Sequence, residues 1–315
     1  LSDASEPAAT KIDGAGRSDI PAGGWVDRYP PAWARPYLRL ARLDRPIGIW
    51  LLMFPCWWGT ALASPGWPDP RWLLLFALGA ALMRGAGCTF NDIVDRDVDA
   101  RVARTAARPL PAGEVSVRRA ALFMVGLALA AFLVLLQFNS VTILLGIASL
   151  AVVAVYPFAK RVTHWPQLVL GVAFNWGALL GWTAVTGELA AAPVLLFLAG
   201  VLWTLGYDTI YAHQDKEDDI LIGVKSTAIR LGDGSRRWIV GFYGTAWALL
   251  AAAAIAAGLG WWAVLLLVPA GLHLAWQVAV VDFADARSCL AVFKANRWTG
   301  ILVFAALVAA RQIAG

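Results

Sequence analysis

Apolar residues recur along the chain in uninterrupted runs of about 20 positions, the length a helix needs to cross the hydrocarbon layer of a bilayer. Read as helices, these runs predict spans at 43–63, 72–93, 119–137, 140–158, 166–186, 192–211, 237–258, 261–281 and 298–314. The expected fold is therefore all-α, a multi-pass membrane protein with nine transmembrane helices. Residues 1–34 differ, being rich in Ala, Pro, Gly and Asp and lacking the apolar core of a secretory signal peptide. They read as a mobile cytosolic tail ahead of a membrane domain at 35–315. A cleavable organelle-import sequence is the rival reading. Asp3, Glu6, Asp13, Asp19 and Asp27 argue against it, because such sequences are poor in acids.

Composition agrees with the bilayer as solvent. Apolar residues make up 60% of the 315, charged ones 15%, and mean hydropathy is +0.65, which excludes an ordinary soluble domain. Cys56, Cys88 and Cys289 are far apart and form no CxxC pair, so neither a disulfide framework nor a zinc site is predicted. Of the 26 Lys and Arg, 23 fall on one side of the predicted topology, Arg71 and Arg311 on the other, and Arg84 inside the second span. By the positive-inside rule the amino terminus is cytoplasmic and the carboxyl terminus lies on the opposite side, here of a bacterial inner membrane. The net charge of +5 is then a topological signature with some attraction for anionic membrane lipid. It implies no nucleic-acid partner.

Two loops stand out, one after the second span and one after the sixth, each about 25 residues long where other connections are short. Each begins with a cluster of acids. In the first, Asn91, Asp95 and Asp99 share one helical face if the second helix continues, drifting about 40° per step and rising about 6 Å between neighbours. Asp92 and Asp97 point elsewhere on that reading. The second cluster repeats the geometry with Asp208, Tyr211, Asp215 and Asp219 at spacings of 3, 4 and 4. A single acid beyond a span is ordinarily a solvated loop residue. Several like charges gathered at a membrane face need compensation, and a divalent cation supplies it. Oxygen-only ligands suit Mg2+, which commonly shares its shell with substrate phosphates. Two facing carboxylate helices therefore read as a diphosphate clamp.

Basic residues follow each cluster: Arg101, Arg104 and Arg108 the first, Lys216, Lys225 and Arg230 the second. Guanidinium forks and ammonium charges suit phosphate oxygens, although for any one of them ordinary topological charge is the simpler account. Arg84 differs because it lies about two turns before Asn91 in an otherwise apolar helix, and so must face a cavity or a partner. His164, His213 and His273 form no metal motif.

Asn91-Asp-x-x-Asp-x-x-x-Asp99 with Arg108-Pro109-Leu110-Pro111, and Tyr207-Asp208-x-x-Tyr211-Ala212-x-x-Asp215-x-x-Asp218-Asp219, resemble the UbiA superfamily of intramembrane prenyltransferases. The resemblance runs from about Tyr37 to the last span. The segments Arg42-Leu-Asp44-Arg45-Pro46-Ile47-Gly48, Tyr156-Pro157-Phe158-x-Lys160-Arg161 and Trp165-Pro166-Gln167, with Lys225-Ser226-Thr227, look like its 4-hydroxybenzoate polyprenyltransferases. The resemblance implies nine helices in a ring around a central cavity. It also implies transfer of a polyprenyl group from polyprenyl diphosphate to the ring carbon beside the hydroxyl of 4-hydroxybenzoate, in ubiquinone synthesis.

Mg2+ held by Asn91, Asp95, Asp99, Asp215 and Asp219 would then neutralise the donor diphosphate, with Asp95 and Asp215 counted as catalytic. Asp208 is the candidate to orient or deprotonate the phenol, its choice between metal shell and acceptor staying open. Lys160 and Arg161 are the candidates for the benzoate carboxylate. Arg45, Arg84, Arg101, Arg104, Arg108 and Lys216 join the substrate contacts, and Tyr156 and Tyr211 could face the allylic cation, although packing is the commoner role of such rings. Homogentisate, dihydroxynaphthoate and haem are rival acceptors. An ion-coupled carrier is the rival class, disfavoured because the acids sit at helix ends rather than singly at mid-span. No motif specifies the prenyl length or an opening for the tail.

Overall fold

The computed structural model describes residues 19–21, 23–102 and 104–314, without the side chains of Lys160, Asp218 and Ile222; residues 1–18 of the expected tail lie outside it. Two short helices come first, α1 (Trp25–Arg28) and α2 (Arg35–Leu40). Residues 19–21 and 23–34, grouped with the tail from sequence, carry contacts of the folded body. Asp27 accepts from Arg39 at 2.6 Å, and the indole of Trp25 donates to Leu43 O at 3.2 Å. Their polarity serves ion pairs and hydrogen bonds rather than solvation.

The bundle follows with α3 (Ile47–Ala63), α4 (Pro70–Asp99), α5 (Val117–Leu135), α6 (Ser140–Val162), α7 (Pro166–Asn175), α8 (Gly177–Thr186) and α9 (Ala191–Ala212). After α9 come α10 (Lys216–Ile222), α11 (Thr227–Leu231), α12 (Ser235–Ala256), α13 (Trp262–Leu266), α14 (Val268–Val280) and α15 (Ala286–Ala314). Among the described residues, eight helical stretches are long and apolar enough to cross a membrane, and α3 is a shorter apolar helix of 17 residues. The predicted start of the last span at 298 gives way to Ala286. Its first turns hold Arg287, Lys294, Asn296 and Arg297, which interrupt the apolar run, but packing carries the helix through them. Asn296 is buried and accepts from the indole of Trp203 at 2.8 Å.

Local chemistry fixes the helix that matters most. Asp69 caps α4 by accepting from Arg71 N at 2.8 Å, and Pro70 occupies the first position, where its missing N–H costs nothing. With 30 residues α4 spans about 45 Å against about 30 Å of hydrocarbon. Its last turns, Asn91 to Asp99, therefore stand at and beyond one membrane face, in unbroken helix as the sequence spacing requires.

The partner cluster is built differently. α9 stops at Ala212, a 3-10 turn covers His213–Asp215, and α10 starts afresh. The single helical face expected for Asp208, Tyr211, Asp215 and Asp219 is therefore broken at the turn.

Small residues let the remaining helices close on one another. A Cβ on Gly181 would lie 2.0 Å from Cys56 O, and one on Gly59 would lie 2.3 Å from Ala178 O, so α3 and α8 meet backbone to backbone. Deep in the bundle Trp58 and Trp203 stack tilted at 5.0 Å between centroids, and Trp58 donates to Gly300 O at 2.9 Å. These two tryptophans are core residues and not interfacial anchors. Trp33, Trp67 and Trp261 are among those left exposed.

Candidate active site

A cavity of about 1530 Å³ opens where α4 and α9 present their ends, and it continues between α4, α5 and α6 along Phe76, Phe132, Leu135, Ile147 and Val153. Its polar end is walled by Asn91, Asp92 and Asp99 from α4 and by Arg104 and Arg108 from the loop after it. Asp208 and Tyr211 from α9, and Asp215, Lys216 and Asp219 beyond it, complete that end together with Arg45. The two acid clusters thus face one space, as their sequence spacing suggested. Arg84, Tyr156 and Tyr207 line it deeper.

Four of the carboxylates in the two clusters, Asp92, Asp95, Asp99 and Asp215, are met by guanidinium groups. Arg108 Nη1 donates to Asp99 Oδ2 at 2.9 Å and to Asp92 Oδ1 at 3.2 Å, while Arg104 Nη2 donates to Asp215 Oδ2 at 2.6 Å. Arg161 Nη2 reaches Asp95 Oδ1 at 3.3 Å and the Val94 carbonyl at 3.1 Å. Burial works against the charged forms of Arg104 and Arg108. The surrounding oxygens, Tyr211, Asp215 and Asp19 for the first and Asp19, Asp92 and Asp99 for the second, outweigh it and hold both above the usual arginine value.

Several sequence expectations change here. Asp92, read as off the functional face, is fully buried in the cavity wall and accepts from Arg42 Nη2 at 2.7 and 3.0 Å as well as from Arg108. A carboxylate on an apolar helix must find cations, and the loops bring two. Asp97 does point to solvent, with 79% of its side chain exposed, and pairs with Arg96. Asp95 is 1% exposed and does not line the cavity, being buried against Arg161 instead.

Among the candidate substrate contacts, Arg101 is exposed and lies off the cavity wall, and so does Arg161 at the rim, over the ring of Phe158 at 5.9 Å. The side chain of Lys160 lies outside the described residues. Among the described residues no three His, Cys, Asp or Glu groups converge as a ready metal centre.

Arg84 is placed as its sequence context demands. Its guanidinium carbon lies 5.3 Å from the Phe174 ring centroid, its Nε has no hydrogen-bond partner, and it stands close enough to Asp208 to interact electrostatically. Gly48 admits it, since a Cβ there would lie 2.4 Å from Arg84 Nε. A guanidinium in the cavity wall with no carboxylate hydrogen-bonded to it is a charge that an incoming anion can satisfy.

Two residues of the cavity wall are not among the sequence-predicted site residues. Arg42, at φ +58°, turns back to clasp Asp92. Asp19, from the supposed tail, enters the cavity wall, where Arg108 Nε and Nη2 donate to its Oδ2 at 3.1 and 2.8 Å. Burial raises its carboxyl, but Arg108, Arg45, Arg104 and Arg42 together hold it down at about 2. Only the Arg-Leu-Asp-Arg run at 42–45 gave any signal, and none pointed to Asp19.

The site fits hard-cation chemistry: Asn91, Asp99, Asp208, Asp215 and Asp219 offer oxygen donors around one space, with cations beside them for phosphate oxygens.

Comparison with known proteins agrees with this geometry. Residues 52–307 match the UbiA prenyltransferase family. A mitochondrial 4-hydroxybenzoate polyprenyltransferase of Arabidopsis thaliana is 46% identical over 309 residues, covering 96% of this chain and 76% of its own length. Its counterpart in Mus musculus is 50% identical over 283 residues, covering 88% and 75%. Of solved structures, a UbiA homolog from Aeropyrum pernix K1 superposes with a TM-score of 0.69 at 27% identity, covering 82% of this chain and 97% of its own. A UbiA homolog from Archaeoglobus fulgidus, bound to GPP and Mg2+, shares the fold with a TM-score of 0.65 at 19% identity, covering 87% and 99%.

The named curated relatives are mitochondrial enzymes, which point to a mitochondrial membrane and overturn the bacterial inner membrane expected from charge and hydropathy alone. Loop charge reports which side a loop lies on, not which membrane it flanks. Matched over most of its length and built around this cavity, the chain belongs to the UbiA prenyltransferase family.

Proposed function

We propose that the chain transfers a polyprenyl group from an allylic polyprenyl diphosphate to the ring carbon ortho to the hydroxyl of 4-hydroxybenzoate, releasing diphosphate, as a step of ubiquinone biosynthesis. α3 serves as the ninth membrane helix of that enzyme. The observation that carries the reading is the polarity of one continuous cavity: guanidinium and carboxylate groups at one end, an apolar arm leading away, and the Arg84 and Asp208 pair between. The names of the curated relatives support the acceptor.

The chemistry follows from the charges. Donor cleavage breaks the bond between allylic carbon and oxygen, and the electron pair leaves with the diphosphate. Arg45, Arg104 and Arg108, with Lys216, lower the barrier by stabilising that developing charge, an effect magnified where water is scarce. Mg2+, held by Asn91, Asp99, Asp215 and Asp219 with Asp95 behind them, would supply a further compact positive charge to the same oxygens. To do so, the arginines now on these carboxylates exchange them for diphosphate oxygens. The prenyl chain lies along Phe76, Phe132 and Val153, which offer no nucleophile to the cation.

The acceptor sits where Arg84 can receive its carboxylate, which leaves Asp208 beside the phenol to draw the hydroxyl proton and enrich the ortho carbon. Attack of that carbon forms the new bond, and loss of its hydrogen as a proton restores the aromatic ring. Tyr156 and Tyr211 border the space in which the cation is exposed.

The test is purified protein given an allylic diphosphate, Mg2+ and a panel of 4-hydroxybenzoate, homogentisate and dihydroxynaphthoate, with mass detection of products. Prenylated 4-hydroxybenzoate and stoichiometric diphosphate are expected, both lost on chelation. Well-folded protein that binds the donor and releases neither would sink the assignment and favour a carrier.

A further inference from the structure

We infer that Asp19 is an internal competitor for the donor: the segment 19–21 holds a carboxylate in the anion subsite of Arg45, Arg104 and Arg108, and diphosphate must displace it to bind. This rests on the reading of the cavity as the donor site and adds a gate to it.

The seat is made for an anion. Arg108 offers Asp19 a fork, Nε at 3.1 Å and Nη2 at 2.8 Å on the same oxygen, while Arg104 stands 3.6 Å and Arg45 3.5 Å from its carboxylate. Both ends of the residue are held as well, Asp19 N donating to Arg104 O at 3.1 Å and Arg45 donating to Asp19 O. The side chain is only 11% exposed, and Ile20 and Pro21 continue along the cavity wall.

Asp92, Asp99 and Asp215 meet the same arginines but are carried by α4 or by the turn that ends α9, so they move only with the bundle. Asp19 alone among these carboxylates precedes the helices altogether. Its occupancy is also incomplete, because Oδ1 has no hydrogen-bond partner although it is buried. A diphosphate, with several oxygens and more charge, satisfies three guanidinium groups better than one half-satisfied carboxylate can. The carboxylate therefore leaves when donor arrives and returns when diphosphate departs. Its return also assists product release, by supplying the arginines with a replacement anion.

Competition of this kind weakens donor binding by the fraction of time the seat is taken, so a strap closed nine-tenths of the time costs about tenfold in affinity. The experiment uses the full chain in lipid nanodiscs with inorganic diphosphate and Mg2+ as the probe, in wild type, Asp19→Asn and Asp19→Ala. Both variants should bind diphosphate about three- to tenfold more tightly than wild type. In wild type, saturating diphosphate should raise amide hydrogen exchange across 19–29 while exchange in α4 does not rise; this measurement needs no variant to fold. Unchanged or weaker diphosphate binding in both variants, or exchange at 19–29 that falls on binding, would overturn the gate while leaving the donor site intact. No diphosphate binding by any of the three proteins would overturn both readings.

Discussion

Asp92 shows how much a single side chain can hide. From its place in the first acid cluster it belonged to the wrong face of a helix, yet it is fully buried and holds Arg42 and Arg108, and Arg108 is the group that meets Asp99 and Asp19. Helical periodicity says which way a side chain points and not what a distant loop will place there. Removing one member of a buried ion pair leaves the others uncompensated, which costs about 3–5 kcal/mol. Asp92→Asn should therefore lower the midpoint of thermal unfolding sharply. Asp97→Asn, at a mostly exposed site, should stay within about 0.5 kcal/mol of wild type. Similar midpoints for the two would refute the structural role of Asp92.

Asp44 carries a pH signature. Both of its oxygens are buried without a hydrogen-bond partner, and burial raises its carboxyl above the ordinary value while Arg45, 3.4 Å away, pulls it down less strongly. A carboxyl raised in the fold binds protons more tightly folded than unfolded, so stability falls as pH climbs from the unfolded value of 3.8 through the folded one. Asp44→Asn should then be more stable than wild type at pH 7, with the gain shrinking toward pH 4. A gain independent of pH would show that the charge is not the cause.

Elements were legible where chemistry is local. The apolar runs located the helices, and the spacing of Asn91, Asp95 and Asp99 carried α4 through its acid cluster, as found. The break after α9 was invisible, because the run from Ala212 to Ile222 contains neither Pro nor Gly; the interruption comes from the 3-10 turn at His213–Asp215. His213 Nε2 lies 2.9 Å from Ser235 Oγ, a tertiary contact that no local pattern announces. The α3 to α8 contact was equally silent in sequence, since Gly59, Gly177 and Gly181 look like any glycines in apolar helices. Gly181→Leu must push two backbones apart where even a Cβ has no room, and overpacking of this kind costs about 1–3 kcal/mol or more. Its thermal midpoint in detergent should drop well below that of Gly126→Leu, which meets open space on α5. Equal midpoints would mean that the backbone contact is not what limits the size of residue 181, since Leu improves helix propensity at both sites.

At the scale of the whole molecule, the cavity has two charged stations that sequence grouped together. Arg104 and Arg108 stand among the acids at its mouth, whereas Arg84 lies deeper, beside Asp208 and over Phe174. Sequence reasoning assigned the acceptor carboxylate to Lys160 and Arg161 on a resemblance. Arg161 instead braces Asp95 and the end of α4, and Arg84 is the unpartnered guanidinium that lies deep in the cavity, Arg45 Nη2 and Arg104 Nε being those at its mouth. The two stations should separate kinetically. A charge-assisted hydrogen bond contributes about 1.5–3 kcal/mol, or roughly 10- to 100-fold in an equilibrium constant. Arg84→Met should raise the KM for 4-hydroxybenzoate by about that factor while leaving the KM for the donor within about twofold. Arg104→Met should do the reverse, and Gly48→Ala, which disturbs Arg84 without touching its charge, should resemble Arg84→Met in kind and fall short of it in size. If Arg84→Met and Arg104→Met instead changed both KM values together, the cavity would hold one undivided anion site, and the placement of acceptor and donor at separate depths would be wrong.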